Sequence, residues 1–190
     1  KEAVEAGITD IGENKVQEAI AKYNELRTKS QEPRTIKWHM VGHLQTNKVK
    51  DAVKIFDLIQ SVDSVRLAEE IDKQAHKINK IQDILIEIKT SPEESKFGLK
   101  ADEAIEVIED IVKLKNINIK GLMTIAPLVD NPEKTRPYFR LLRELRDRIN
   151  ESRVMSHELG ILSMGMTDDF EIAIGEGSNM VRLGRAIFES

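Results

Sequence analysis

Short apolar runs alternate along this chain with longer amphipathic stretches, and that alternation limits the possible folds more than any other property. Runs of strand length fall at Asp10 to Glu13, Trp38 to Gly42, Leu58 to Val62, Ile84 to Lys89, Ile119 to Ile125, Leu162 to Met166 and Met180 to Leu183. Between them lie Lys15 to Thr28, Asn47 to Val53, Ser64 to Ile78, Lys100 to Leu114, Pro132 to Arg153 and Asp168 to Gly175. These stretches repeat apolar residues at three- and four-residue spacing with Lys, Glu and Asp opposite, the mark of helices with one buried face. A parallel crossover needs about a helix's length of chain and covers the sheet it leaves, so charged helices between apolar strands predict a helix-covered parallel sheet.

Counting separates two architectures. The end of a helix, Lys1 to Ala6 closed by Gly7, precedes the first run, so the pattern predicts an eighth strand upstream, and eight strands close a (β/α)8 TIM barrel. The alternative, a doubly wound open sheet, usually carries Gly-x-Gly-x-x-Gly after its first strand. That fingerprint is missing, and Gly175-Glu-Gly-Ser-Asn-Met precedes a strand instead. The barrel is the preferred reading. No linker, repeat or low-complexity run divides residues 1–190, which are expected to form one domain, incomplete at an N-terminus that lacks an initiator Met.

The function classes narrow by charge. With 29 Lys and Arg against 33 Asp and Glu, a net charge of -4 and no basic stripe, nucleic acid is not an expected partner. The chain has no cysteine, which excludes a thiolate nucleophile and suits a reducing, cytoplasmic setting. No apolar run approaches the roughly 20 residues of a membrane span. A soluble, monomeric, cytoplasmic protein acting on a small molecule is expected.

A barrel places its function at the C-terminal ends of its strands, and those ends are polar here. They carry Glu13 and Asn14, His39 with Gly42 to Lys48, Ser61 and Asp63, Lys89 and Thr90, Thr124, Gly165-Met-Thr167, and Arg182-Leu-Gly-Arg185. The last two ends are where barrels most often hold phosphate. Gly165 and Gly184 would admit an anion to the backbone, and Thr167 offers a hydroxyl. Helix capping by Thr167 or Asp168 explains the same residues without a ligand. Arg182 alternates with Val181 and Leu183, so it faces the interior or mouth and needs an acceptor, either Glu13 or Asp63 or a ligand atom. His39 suits a structural hydrogen bond better than a catalytic base. His39, His43 and Asp63 lack metal-ligand spacing, and Glu93 and Glu94 lie in what reads as a solvated loop.

Six blocks carry a resemblance spanning nearly the whole chain: Ile11 to Ala19, Trp38 to Lys48, Ser95 to Leu99, Lys120 to Thr124, Leu162 to Phe170 and Val181 to Phe188. In this order they resemble the pyridoxal phosphate homeostasis protein family, whose fold is a single barrel like the N-terminal domain of alanine racemase. The resemblance implies binding of pyridoxal 5'-phosphate (PLP), for buffering or delivery, without established catalysis. It implies that Arg182 meets the pyridine nitrogen and that Gly184 and Arg185 give backbone N–H groups to the phosphate. Ser163 and Thr167 would add hydroxyls, Asn14 and His39 would line the pocket, and Met164, Gly165 and Met166 would form its wall. Thr167 stands where the family usually has Ser, which keeps the hydroxyl.

In that family a lysine at the end of the first barrel strand forms a Schiff base with the cofactor, and the matching segment would lie before Lys1. Of the lysines here, only Lys89 stands at a strand's C-terminal end as a geometric substitute. The competing function is a PLP-dependent amino-acid racemase. It needs a second base, usually a tyrosine from a separate β domain; no such domain is expected in a chain that ends at Ser190, and Tyr23 and Tyr138 are expected on outer helices. A third reading is a barrel serving an unrelated phosphorylated metabolite.

Overall fold

The computed structural model describes residues 2–29, 36–93 and 97–188. Its sheet runs β1 (Asp10–Glu13), β2 (Lys37–Met40), β3 (Leu58–Val62), β4 (Gln82–Lys89), β6 (Ile117–Met123), β7 (Ile161–Met166) and β8 (Met180–Arg182), every neighbouring pair parallel. The two-residue strand β5 (Leu99–Lys100) pairs with β4 off this path and was not foreseen from the sequence. Strand order follows chain order throughout, as it must when each right-handed crossover places the next strand beside the last. The result is a near-closed parallel barrel in which this chain fills seven strand positions.

The crossovers are α2 (Val16–Lys29), α3 (Val49–Ile55), α4 (Val65–Lys77), α5 (Ala104–Ile111), α6 (Arg136–Ser152) and α7 (Phe170–Gly175), with short α1 (Glu2–Glu5) and α8 (Arg185–Phe188) at the ends. Their starts follow local chemistry. Ser64 caps α4 by accepting the Leu67 N–H, and Pro132, in the single 3-10 turn leading into α6, needs no amide donor there. On α4, Leu67, Ala68, Ile71 and Ala75 are buried; on α6, Phe139, Leu142, Leu145 and Ile149 are. These stripes face the outward side chains of the strands.

The pleat divides the core in two. Along β4, Ile84, Ile86 and Ile88 join the large cluster between strands and helices, whereas Leu85 belongs to a smaller one with Leu58 and Met123, packed by Ile161 and Met180. Successive side chains of a strand point to opposite faces, so the second cluster lies inside the barrel. Glu87 and Arg182, two residues beyond Leu85 and Met180, share that inward face. Chain irregularities occur between Ile59 and Val62 of β3 and between Ser163 and Met166 of β7.

One polar contact ties the outer layer together. Glu176, just past α7 and 3% exposed, accepts hydrogen bonds from Arg136, Arg140 and Arg143 of α6 at 3.0, 3.1 and 2.7 Å. Those arginines, with Arg140 first, hold the Glu176 carboxyl below its usual range. A depressed folded pKa gives stability that is present above the unfolded value and lost as pH falls through the folded one. Glu176→Gln is therefore expected to destabilise the protein by about 2 kcal/mol at neutral pH, a figure below that for fully buried pairs because the arginines are partly solvated. The deficit should shrink as the pH drops below about 4, which denaturant titrations at the two pH values will show.

Candidate functional site

The mouth of the barrel is assembled from the inward residues nearest the strand ends. Arg182, the last residue of β8, turns its guanidinium inward, where NH1 donates to Ser163 Oγ and NH2 to the Thr124 carbonyl, both at 2.7 Å. Neither Glu13 nor Asp63 serves as its partner. Glu13 accepts from Lys22 at 2.6 Å, and Asp63 lies 3.3 Å from His43. The buried cation is thus held by neutral oxygens. Burial lowers its pKa to about 10, with Glu87 and Asp169 opposing, so it stays protonated at neutral pH.

Glu87 is the buried acid of this mouth. Burial, reinforced by Asp63 and opposed by Arg182, pushes its carboxyl up to about 7. The sequence held a signal for it: in Leu85-Ile-Glu-Ile-Lys89 the acid alternates with outward isoleucines. Gln60, in Leu58-Ile-Gln-Ser-Val62, was legible by the same rule. Thr124 Oγ1 donates to the Ile88 carbonyl at 2.7 Å and sits 3.0 Å from Thr90 Oγ1, fixing the carbonyl that receives Arg182.

Above Arg182 lie two turns. After β7, Met166 N–H donates to Asp169 Oδ1 at 2.6 Å, and α7 begins at Phe170 with Asp169 in the capping position. The N-cap position is therefore Asp169 rather than Thr167 or Asp168, and its carboxylate closes the turn onto Met166 without bonding a helix N–H. Asp168 instead pairs with Arg185, and Thr167 Oγ1 accepts the Ala186 N–H at 3.4 Å, joining the two turns. Gly165 has φ of +96°, and an added Cβ would stand 2.6 Å from that of Ala173, so the turn closes onto α7 only with glycine. At Gly184 the space for a side chain is open. A small anion can approach that backbone, with the Thr167 hydroxyl and the Arg185 cation on the same turns.

The remaining predicted residues divide. Asn14 follows β1 and is exposed; Met166 is partly exposed beside the turn. Met164 is wholly buried in the outer core with Leu162 and Ala173, so it backs the wall without facing the opening. His39 is buried, 3.0 Å from Gln60 and 3.3 Å from Asp10, and burial lowers its pKa against the pull of Asp10 and Asp57. His43 stacks on Phe97 with ring centres 3.8 Å apart, beside a cavity of about 390 Å³ between the residues after β2 and the start of α4. Among the described residues no group of three or more His, Cys, Asp and Glu could hold a metal ion. Pro92, Glu93 and Phe97 are exposed, as expected of a solvated loop, with Ser91 buried where the chain leaves β4; Glu94 lies outside the described residues. Tyr23 packs edge-on against Trp38 at 5.7 Å, away from the mouth.

Residues 1–190 match the family described as alanine racemase, N-terminal domain. The pyridoxal phosphate homeostasis protein of Aquifex aeolicus (strain VF5) is 45% identical over 99% of this chain and 79% of its own length. The chain belongs to the pyridoxal phosphate homeostasis protein family. PipY of Synechococcus elongatus PCC7942, solved with PLP bound, superposes with a TM-score of 0.89 at 34% identity, covering 98% of this chain and 84% of that one. Alanine racemase of Clostridium difficile 630 shares the fold, with a TM-score of 0.73 at 19% identity over 95% of this chain and 44% of its own. The alternative of a racemase is not what the homeostasis family members support. Family membership also settles the architecture as a (β/α)8 barrel rather than an open sheet.

Proposed function

We propose that this chain binds PLP at the barrel mouth as part of intracellular PLP homeostasis, and that it carries the cofactor without turning over a substrate, as a cytoplasmic monomer. The observation that carries the reading is the inward guanidinium of Arg182, fixed by Ser163 and Thr124 directly beneath the two polar turns. The donor set fits the group. The Thr167 hydroxyl and the backbone at Gly184 and Arg185 suit a phosphate, with Ser163 below them holding Arg182, and the inward guanidinium suits an acceptor nitrogen. Asn14, Gly165 and Met166 would border the ligand, with Met164 behind the wall and His39 deeper.

When bound, PLP supplies an electron-accepting ring and an aldehyde. Arg182 can only donate, so it holds the ring nitrogen as an acceptor and keeps a proton off it, which weakens the ring as an electron sink. That favours storage over catalysis. Tyr23, packed on Trp38, is in no position to act as a racemase base.

Titrating the purified protein with PLP and with pyridoxal tests the reading. PLP is expected to bind at least about tenfold more tightly, because charge-assisted bonds to the phosphate contribute roughly 1.5–3 kcal/mol each. Thr167→Val should weaken PLP by about fivefold through loss of one hydroxyl contact, and alanine racemisation with added PLP should stay at background. Equal affinity for the two ligands would sink the phosphate site, and turnover would sink the carrier.

A further inference from the structure

The polar side chains inside the barrel form one continuous line from the mouth toward its base. Arg182 NH1 meets Ser163 Oγ at 2.7 Å, Ser163 Oγ meets Gln60 Oε1 at 2.6 Å, Gln60 Nε2 meets His39 Nδ1 at 3.0 Å, and His39 Nε2 meets Asp10 Oδ1 at 3.3 Å. Ser163, Gln60 and His39 are 0%, 1% and 6% exposed, so solvent cannot substitute for a broken link.

Every donor in the line is dictated by its first member. A guanidinium cannot accept, so Ser163 must accept from Arg182, and its own proton goes to Gln60 Oε1. The Gln60 amide then presents its NH2 to His39, whose Nδ1 must be the bare nitrogen. The proton of neutral His39 therefore sits on Nε2, facing the Asp10 carboxylate. Gln60 Nε2 also reaches Met180 Sδ at 3.2 Å, which fixes the amide from a second side. Hydrogen bonds aligned head to tail polarise one another, and here they connect the buried cation to a carboxylate across the barrel.

We propose that Gln60 and His39 are positioning residues that hold the Arg182 guanidinium on the ligand ring, and that protonating His39 loosens that hold. The inference rests on the reading of Arg182 as the ring nitrogen's partner. A proton on Nδ1 would face the Gln60 NH2 at 3.0 Å, two donors together. The amide must then turn, which strips the fully buried Ser163 hydroxyl of its acceptor. The charged groups around His39 are Asp10 on β1, Asp57 before β3 and Lys37 on its own strand; burial outweighs the two carboxylates and keeps the imidazole neutral at physiological pH.

The probe is 4-deoxypyridoxine 5'-phosphate, which keeps the ring nitrogen and phosphate but has no aldehyde, compared with inorganic phosphate. Gln60→Leu, which keeps the volume and removes both links, should weaken the ring ligand about tenfold while changing phosphate binding less than about twofold. The wild-type affinity for the ring ligand should hold through neutral pH and fall only as the pH drops below the ordinary imidazole range, because burial pushes the His39 proton uptake downward. His39→Asn, which accepts at Oδ1 but does not titrate, should flatten that fall. Nitrogen-15 NMR of the ligand-free protein should report the Nε2–H tautomer for His39. An Nδ1–H tautomer, or wild-type affinity and pH profile in both variants, overturns the proposal. No binding of the ring ligand by wild type overturns the functional reading as well, which separates the two failures.

Discussion

Replacing Arg182 with leucine is expected to weaken PLP binding about a hundredfold and to leave the ligand-free protein as stable as before. Removing one partner of a buried charge-assisted bond costs about 2–5 kcal/mol of binding, and each 1.4 kcal/mol is tenfold. The folded state has less to lose. The guanidinium is bonded to two neutral oxygens, Ser163 Oγ and the Thr124 carbonyl, and burial already works against its charge. Leucine leaves the Thr124 carbonyl without that donor, at about 1 kcal/mol, but ends the desolvation of a cation, and such exchanges are often neutral or stabilising. Isothermal titration and thermal unfolding without ligand measure the two sides separately. A collapse of the ligand-free melting temperature would make Arg182 a structural residue first.

The second large effect is on the fold. Gly121 of β6 lies opposite Ile161 of β7, and a Cβ built there would stand 2.0 Å from the Ile161 carbonyl oxygen and 2.6 Å from its carbon. Both obstacles are backbone, so no rotamer change relieves them. Gly121→Ala must push apart a pair of hydrogen-bonded strands within the sheet, at about 3 kcal/mol or more. For a protein of this size that lowers the melting temperature by roughly 6–12 °C. Gly160→Ala is the internal comparison. Nothing lies within 4 Å of its Cβ position, and its stability should stay near wild type.

What could be read in advance was whatever repeats within a few residues. The isoleucines of β4 face outward and Leu85 and Glu87 inward because period two is fixed by the backbone, and the same rule placed Arg182 at the mouth. Element positions followed too: β1 and β3 lie where the apolar runs put them, and α4 differs by one residue at each end. The partners were not legible. Ser163 and Gln60 are 103 residues apart and Arg182 and Thr124 are 58 apart, and no local pattern records which strand ends converge. Nothing beside Glu176 in Gly175-Glu-Gly177 marks it as an anchor, because its three arginines lie on another helix. The cap of α7 was misplaced by one or two residues, since Thr167, Asp168 and Asp169 all have capping side chains and only the turn geometry chooses between them.

Strand β8 is three residues long and, among the described residues, is paired only with β7. It nonetheless carries Arg182 and leads into Gly184. Its Arg182 sends one bond to Ser163 on β7 and one to the Thr124 carbonyl after β6, so a single side chain ties three neighbouring strand ends together. A ligand gripped by β8 and by the turn after β7 spans two of those three ends. Binding there stabilises the β7–β8 pairing by mass action. Strand β8 is in that sense both a wall of the site and one side of its grip.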